Sequence, residues 1–304
     1  MKKKLHPRTF AQAAATVFSN GYLAGIAKMK IFTGASKQIC IPGLNCYSCP
    51  GALFACPLGA FQSALAGGDI AGSEYKLRLP WVSLPLYTLG FLFIFGALLG
   101  RFICGWLCPF GFFQDLLYKI PFVKKLRKLP GDRALRWLKY ALLAVLCVIL
   151  PLTLTNIVGQ GSPWFCKLVC PAGTLQAGLP LVLFGEGYAD AAGMWFIIKV
   201  TILIVIIFLS VITYRPFCRY LCPLGAIYGL FNPISLCRLR LDKNKCINCG
   251  ACEKACKLGV VPQKNPGSPD CIRCGDCVSV CPRGALSGLP VRNKTGKSAR
   301  EAIK

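Results

Sequence analysis

The chain has 304 residues, of which 55% are hydrophobic and only 15% are charged, and its formal net charge is +25. Soluble domains carry about 25% charged residues, so this composition favours a membrane protein. The single histidine, His6, excludes bis-histidine haem and Rieske centres, and the sequence contains no CxxCH, H-E-x-x-H, P-loop or G-x-G-x-x-G motif. Redox chemistry must therefore use the 20 cysteines or a diffusible cofactor.

Four apolar segments are predicted to cross a bilayer, because each approaches the roughly 20 residues that a helical span requires. A signal peptide is the alternative for the first segment, but Lys28 and Lys30 follow it in place of a small-residue cleavage site. Pro151 predicts a kink in the third segment. The segments lie at about 9–30, 81–103, 138–158 and 194–214.

Lysine and arginine are concentrated in the N-terminus, the 101–139 loop and the C-terminal tail, whereas the 34–79 and 160–193 loops hold few. The positive-inside rule therefore predicts a multi-pass protein of a prokaryotic cytoplasmic membrane with both termini cytoplasmic. The basic loop is expected to contact anionic lipid. Nucleic-acid binding is not indicated, since no aromatic and basic surface accompanies these charges.

A C-x3-C-P-x-G motif recurs directly after apolar segments, and its copies are regularly spaced. Cys56 and Cys108 are 52 residues apart, as are Cys170 and Cys222, and the two pairs are offset by 114 residues. These offsets predict two tandem halves related by a pseudo-twofold axis along the membrane normal. The full copies hold Cys104 and Cys108, Cys166 and Cys170, and Cys218 and Cys222, and an altered first copy holds Cys56 with Cys49 or Cys46.

The predicted fold is an α-helical membrane protein with four transmembrane helices in two tandem, pseudo-symmetric halves, followed by a small α+β two-cluster ferredoxin domain. The predicted divisions are a first membrane repeat at 1–132, a second at 133–236, the ferredoxin domain at 237–288 and a basic tail at 289–304.

Two C-x2-C-x2-C-x3-C runs near the C-terminus carry the most specific signal. This is the spacing of bacterial two-cluster ferredoxins, in which the fourth cysteine of each run ligates the other [4Fe–4S] cluster. Zinc is the alternative, since C-x2-C pairs also bind zinc, but two complete runs favour iron–sulfur. The expected ligand sets are Cys246, Cys249, Cys252 and Cys281 for one cluster, and Cys271, Cys274, Cys277 and Cys256 for the other.

The C-x3-C-P motifs supply two ligands each, so a cluster needs two motifs to meet. Cys104, Cys108, Cys218 and Cys222 are expected to form a third iron–sulfur centre at the inner face. Separate disulfides are the alternative there, although a cytoplasmic location disfavours them. Cys49 or Cys46, Cys56, Cys166 and Cys170 form a corresponding fourth centre at the outer face, where the disulfides Cys40–Cys46 or Cys166–Cys170 remain alternatives.

Several further residues are singled out by their positions. Gln62, Gln114, Gln176 and Tyr228 follow the four motifs at one equivalent position, where they either line a quinone site or, more simply, cap or pack short helices. Lys199, inside the fourth segment, is expected to reach the membrane surface. Cys147 and Cys237 are expected to be packing residues.

With these motifs the chain resembles the NapH/NosR-type polyferredoxin membrane proteins. The resemblance covers about residues 80–285 and rests on the cysteines of the two inner motifs and of the ferredoxin runs. It implies an accessory electron carrier placed between the quinol pool and respiratory reductases, with membrane quinone and redox proteins as partners. The outer cysteines go beyond the family pattern and indicate a conduit for electrons rather than only a quinol port.

The chemistry therefore predicts a membrane-bound electron-transfer protein, or a subunit of a quinol or ferredoxin oxidoreductase. It would relay electrons between cytosolic ferredoxin clusters and either quinone or an outer acceptor. Because the hydrocarbon layer is about 30 Å thick, a continuous path requires centres that lie inside it or a quinone that bridges them. The alternatives are a cluster-based redox sensor or assembly factor of a respiratory system, and a metal transporter.

Overall fold

A computed structural model describes residues 7–66, 76–79, 82–121, 125–127, 129–154, 161–185 and 193–289. Within them the chain is mostly helical, with a small α+β unit at the C-terminal end. Nearly all of the predicted basic tail, from residue 290 onward, lies outside these ranges.

The first half consists of short helices around the first two cysteine motifs. The segment predicted as the first span is two helices, because Asn20 donates from its side chain to the carbonyl of Thr16 and ends the first one. The expectation of one continuous helix there is wrong. The elements are α1 (Pro7–Ser19), α2 (Leu23–Lys28), a 3₁₀ turn (Ala35–Gln38), α3 (Pro57–Leu65), strands β1 (Lys76–Leu79) and β2 (Val82–Pro85), α4 (Leu86–Leu99), α5 (Phe102–Trp106) and α6 (Pro109–Tyr118).

The second predicted span is shorter than expected. The antiparallel β1–β2 hairpin precedes α4, and Gly100, with a φ of 51°, ends the helix before α5 begins. Only glycine adopts this left-handed conformation without steric cost. The result is a 14-residue helix in place of the predicted 81–103 segment.

The second half contains the two described helices that are long and apolar enough to cross a membrane, Asp132–Thr153 and Met194–Ile212. They correspond to the third and fourth predicted spans, although residues 155–158 lie outside the described ranges. The elements are α7 (Asp132–Leu142), a π-helical segment (Leu143–Ile149), α8 (Leu150–Thr153), α9 (Trp164–Leu168), α10 (Pro171–Gly173), a π-helical segment (Thr174–Gly178), α11 (Leu179–Phe184), α12 (Met194–Ile212), a π-helical segment (Phe217–Leu221) and α13 (Pro223–Leu230).

Outward faces of these helices are apolar and exposed. Phe93 on α4, Trp137 on α7 and Phe208 on α12 are each more than 60% exposed. Exposed apolar surface of this extent marks an interaction with lipid or protein. The arrangement is compatible with a membrane protein.

The C-terminal unit is built from α14 (Ala251–Ala255), α15 (Asp276–Ser279) and a two-stranded antiparallel sheet of β3 (Arg240–Leu241) and β4 (Leu286–Ser287). Its own small core contains Leu239, Cys277, Val278 and Leu286. The main cluster of buried residues in the described chain contains cysteines from all four C-x3-C-P copies, and a smaller cluster contains Cys40, Ala55 and Ala60.

Candidate iron–sulfur centres

The two ferredoxin runs surround two separate cavities. One cavity is lined by Cys246, Cys249, Cys252 and Cys281, and the other by Cys256, Cys271, Cys274 and Cys277. The fourth cysteine of each run thus lines the cavity of the other run, as the spacing predicts.

Left-handed residues turn both ferredoxin loops at equivalent places. Asn248 and Gly250 flank Cys249, and Arg273 and Gly275 flank Cys274, all with positive φ. Repeated left-handed turns point successive N–H groups into one concave space, which suits an anionic group. The loops therefore fit an iron–sulfur cube held by thiolates.

The four C-x3-C-P copies share one local geometry. A residue before proline favours extended backbone, and proline favours the first helical position, so each second cysteine precedes a new helix. Cys108 and Cys222 accept hydrogen bonds from the N–H groups of Gly111 and Gly225, at 3.4 and 3.3 Å. A thiolate there meets the positive end of the helix, which stabilises its charge.

Two buried arginines join the two inner motifs reciprocally. Arg101 Nη2 donates to the main-chain oxygen of Cys218 at 2.7 Å, and Arg215 Nη1 donates to that of Cys104. The two arginines are 114 residues apart, as are the two cysteines. Each half of the repeat therefore supports the first motif cysteine of the other half.

The four inner thiols lie close to one another in the buried core. Burial, and then the neighbouring thiols of Cys218 and Cys104, raise the pKa of Cys108 to about 12. Burial, and then the same two thiols, raise the pKa of Cys222. Binding to iron would relieve both effects, because metal ligation favours the thiolate form.

Asp115 completes the surroundings of Arg215. It accepts hydrogen bonds from Arg215 at 2.7 and 2.6 Å, from Gln12 at 3.1 Å and from Arg8. Although burial opposes ionisation, the guanidinium groups of Arg215 and Arg8 hold the pKa of Asp115 at about 2. The position of Arg215, and through it of Cys104, thus depends on a charged network.

Glutamine side chains of two motifs contact the motif at the equivalent position of the other repeat. Gln114 accepts from the N–H of Phe217 at 3.2 Å and donates to Cys218 Sγ at 3.1 Å. Gln62 makes the equivalent pair with the N–H of Phe165 at 3.0 Å and Cys166 Sγ at 3.5 Å. These glutamines therefore contact the cysteine motifs.

The outer cysteines surround a larger cavity of about 360 Å³, against about 20 Å³ for each ferredoxin cavity. A Cβ on Gly173 would lie 3.7 Å from Cys46 Sγ and 3.9 Å from Cys170 Sγ, so glycine keeps this space open. The buried amide of Asn45 lines the cavity without a hydrogen-bond partner. The cysteines on its wall are Cys46, Cys56, Cys166 and Cys170.

The structure does not bring Cys49, the other candidate for the outer set, to the wall of this cavity. Its N–H bonds to the carbonyl of Cys46 in a tight turn, and its nearest charge is Lys37. The turn directs Cys46 inward, where Gln176 accepts from its N–H at 2.8 Å. The alternative that the sequence left open, Cys46, is the one that lines the wall.

All 20 cysteines lie in the described ranges and none forms a disulfide, so the disulfide alternatives are not realised. In that same part of the chain, no three His, Cys, Asp or Glu side chains are arranged to hold a single metal ion. Cys147 is buried, as a packing residue should be. Lys199 lines the outer cavity.

Comparisons with known proteins agree with these sites. A 4Fe–4S binding domain family matches residues 83–130, 140–182 and 193–243, and each stretch contains one C-x3-C-P motif. A 4Fe–4S dicluster domain family matches residues 245–286. The chain thus carries the domains of an iron–sulfur protein. It belongs to the NapH-type family of ferredoxin-type electron-transport proteins, which also includes the MauN proteins.

The similarity extends over most of one relative. The ferredoxin-type protein MauN for methylamine utilization from Paracoccus denitrificans is 30% identical over 261 residues, which are 84% of this chain and 77% of the relative. An uncharacterized protein of Methanocaldococcus jannaschii is 34% identical over 168 residues, 54% of this chain and 61% of the relative. The ferredoxin-type protein NapH of Haemophilus influenzae is 29% identical over 181 residues, 59% and 55% of the two chains.

Three of the curated relatives match this chain over 61%, 53% and 59% of their own lengths. No solved structure matches the chain.

Proposed function

We propose that this chain relays electrons across the cytoplasmic membrane, between cytosolic ferredoxin clusters and an acceptor or donor at the outer face. One observation carries the proposal. A single buried core contains Cys56 and Cys170 of the outer set and the four inner cysteines, and Cys256 and Cys274 of the ferredoxin unit pack against it. Bound [4Fe–4S] clusters supply one-electron chemistry, and the residues of this chain hold them in sequence.

The ferredoxin unit packs directly on the inner motifs. Trp106 Nε1 donates to the carbonyl of Arg273 at 3.0 Å, and Arg273 Nη1 donates to the carbonyl of Leu99 at 2.8 Å. Asn232 Nδ2 donates to the carbonyl of Cys271 at 2.9 Å. These buried contacts hold the loop of Cys271 and Cys274 against the inner set and supply the first step of the path.

Short helices bring the inner and outer sets closer than the thickness of the hydrocarbon layer. Helix α1 begins at Pro7, and its second residue, Arg8, donates to the carbonyl of Gly105 at 3.0 Å. The helix ends at Ser19, whose carbonyl accepts from the N–H of Leu53 in the outer loop. Its 13 residues correspond to about 20 Å. Since the layer is about 30 Å thick, both centres would lie partly within it.

Helix α4 also connects the outer loop with the inner motifs, and its chain runs in the opposite direction to that of α1. Tyr87, near its start, accepts from the N–H of Cys40 in the outer loop, and Arg101 follows its end. With Asp132–Thr153 and α12, these helices support four crossings with both termini cytoplasmic. The ligand sets in this proposal are those of the two ferredoxin cavities, the inner set, and an outer set of Cys46, Cys56, Cys166 and Cys170.

A second route through membrane quinone is favoured by one cavity. About 200 Å³ lies between α1, α6 and the ferredoxin unit, lined by Phe112, Tyr118 and Tyr214 with the carboxylates of Asp115 and Asp276. An aromatic wall beside charged side chains suits a planar redox ligand with polar groups at its edge. In this version the quinone replaces the outer centre as the partner of the inner one.

The test begins with anaerobic purification and iron and sulfide quantitation. The double variant Cys104→Ser/Cys218→Ser should lose about four irons per chain, because a cubane needs four thiolates. Cys147→Ser, which removes a thiol outside the sets, should retain all the iron. Equal iron in both variants would exclude the inner centre.

Electron relay is then measured in vesicles that contain a trapped, impermeant acceptor and receive an impermeant reductant outside. The wild type should reduce the acceptor without added quinone, and the double variant should not. Transfer that occurs only after quinone is added would support the second route. Electron transfer at the same rate in the wild type and the double variant would contradict both versions of the proposal.

A further inference from the structure

Tyr228 is fully buried on α13, and its hydroxyl has no hydrogen-bond partner among the residues that the structure describes. A buried polar group without a partner is rare, because its lost hydration is not compensated. Such a group points to an acceptor at this place that the protein atoms do not supply.

The internal repeat indicates what that acceptor is. Tyr228 stands where the other copies have Gln62, Gln114 and Gln176. Gln114 and Gln62 donate to cysteine sulfurs of the opposite motif, and Gln176 accepts from the N–H of Cys46. In every case the partner belongs to the cysteine motif across the pseudo-twofold axis. For Tyr228, the motif across that axis holds Cys104 and Cys108.

The surroundings of the ring agree with this placement. Burial, and then the neighbouring thiols of Cys104 and Cys56, raise the pKa of Tyr228. Cys104 belongs to the inner set and Cys56 to the outer set, and all three residues share one buried core. Tyr228 therefore lies near thiols of both sets.

We propose that the Tyr228 hydroxyl donates a hydrogen bond to a sulfur of the inner cluster, on the side that faces the outer set. This rests on the inner centre of the proposed function. A hydrogen bond to a cluster sulfur stabilises the reduced, more negative state, so it raises the midpoint potential of that cluster. Tyr228 thus raises the midpoint potential of the inner centre, from which electrons pass to the outer one.

The experiment is an EPR-monitored redox titration of the full-length protein, purified anaerobically. Tyr228→Phe removes only the hydroxyl, so iron content should stay unchanged and the inner-centre midpoint potential should fall. A tenfold loss in the equilibrium constant for reduction corresponds to about 59 mV. Tyr22→Phe is the matched control, because its ring packs on Phe32 near the outer loop, and its titration should equal that of the wild type.

Tyr228→Gln keeps a hydrogen-bond donor of the kind found in the other three copies. It should restore the wild-type potential, and also the iron if Tyr228→Phe loses any. An unchanged potential in Tyr228→Phe, or a failure of Tyr228→Gln to restore what is lost, would overturn the proposal. The titration does not depend on electron transfer across the membrane, so absence of that transfer would contradict the relay alone. Absence of the inner-centre iron would contradict both the relay and this proposal.

Discussion

Gly105 lies directly against the carbonyl oxygen of Ile272: a Cβ on residue 105 would come within 2.2 Å of that oxygen. Gly105 follows the inner ligand Cys104, and Ile272 follows Cys271 of the ferredoxin unit. The absence of a side chain therefore lets the inner motif and the second ferredoxin loop touch main chain to main chain. This contact joins two loops that carry cysteines of two different proposed centres.

Gly105→Ala should separate these two loops. A main-chain oxygen cannot yield as a flexible side chain can, so we expect a loss of about 1–3 kcal/mol in stability and slower transfer from the ferredoxin clusters to the inner one. Stopped-flow reduction measures the rate, with iron content as a check. Gly90→Ala is the control, since a Cβ there meets nothing within 4 Å. Equal rates in Gly105→Ala and wild type would contradict the contact's role.

Asp115 should make the protein sensitive to acid. The pKa of its carboxyl is about 2 in the folded chain, against an ordinary value of 3.8. A carboxyl whose pKa is lower in the folded than in the unfolded chain stabilises the fold fully at pH values above the unfolded pKa. This stabilisation is lost as the pH falls from about 5 towards 2, and for Asp115 it amounts to about 2 kcal/mol. Helix content followed by circular dichroism against denaturant at pH 7 and pH 3 measures this loss.

Asp115→Asn should be less stable at pH 7, since it leaves Arg8 and Arg215 without their partner. The difference in stability between wild type and variant should shrink by about 2 kcal/mol between pH 7 and pH 2. A difference that stays constant over this range would mean that Asp115 does not carry the acid sensitivity.

Serine substitutions of Cys46 and Cys49 should have different effects on the iron content, although the two cysteines are only three residues apart. Cys46→Ser removes a thiol from the outer cavity, so we expect the loss of about four irons per chain. Cys49→Ser removes a thiol outside the cavity and should keep the full iron content. Iron and sulfide analysis with EPR spin counting distinguishes them. The reverse pattern would return Cys49 to the outer set.

Lys199 should raise the midpoint potential of the outer centre, because a positive charge on the cavity wall stabilises the reduced cluster. Lys199→Met is therefore expected to lower that potential in a redox titration. Lys28→Met, which removes an exposed charge on α2, is the control and should leave it unchanged. If both variants titrate alike, Lys199 reaches the membrane surface as its sequence position suggests.

The sequence alone predicts how the cysteines are grouped and where the two long apolar helices lie. The ferredoxin cysteines are paired by their spacing, because three ligands within one short loop can reach only one cavity. The offsets of 52 and 114 residues pair the inner motifs, since repeated halves place equivalent residues at equivalent positions. The long apolar helices Asp132–Thr153 and α12 are likewise predicted by composition.

Other features depend on tertiary contacts. Cys46 and Cys49 lie in one turn, and only packing against Gln176 directs the first of them inward. Arg101 and Arg215 could have been noticed from their 114-residue offset, but the groups through which they join the two motifs are main-chain oxygens, which a side-chain pattern does not reveal. Local spacing therefore determined which cysteines can share a cavity, whereas the packing of distant loops decided which of them line one.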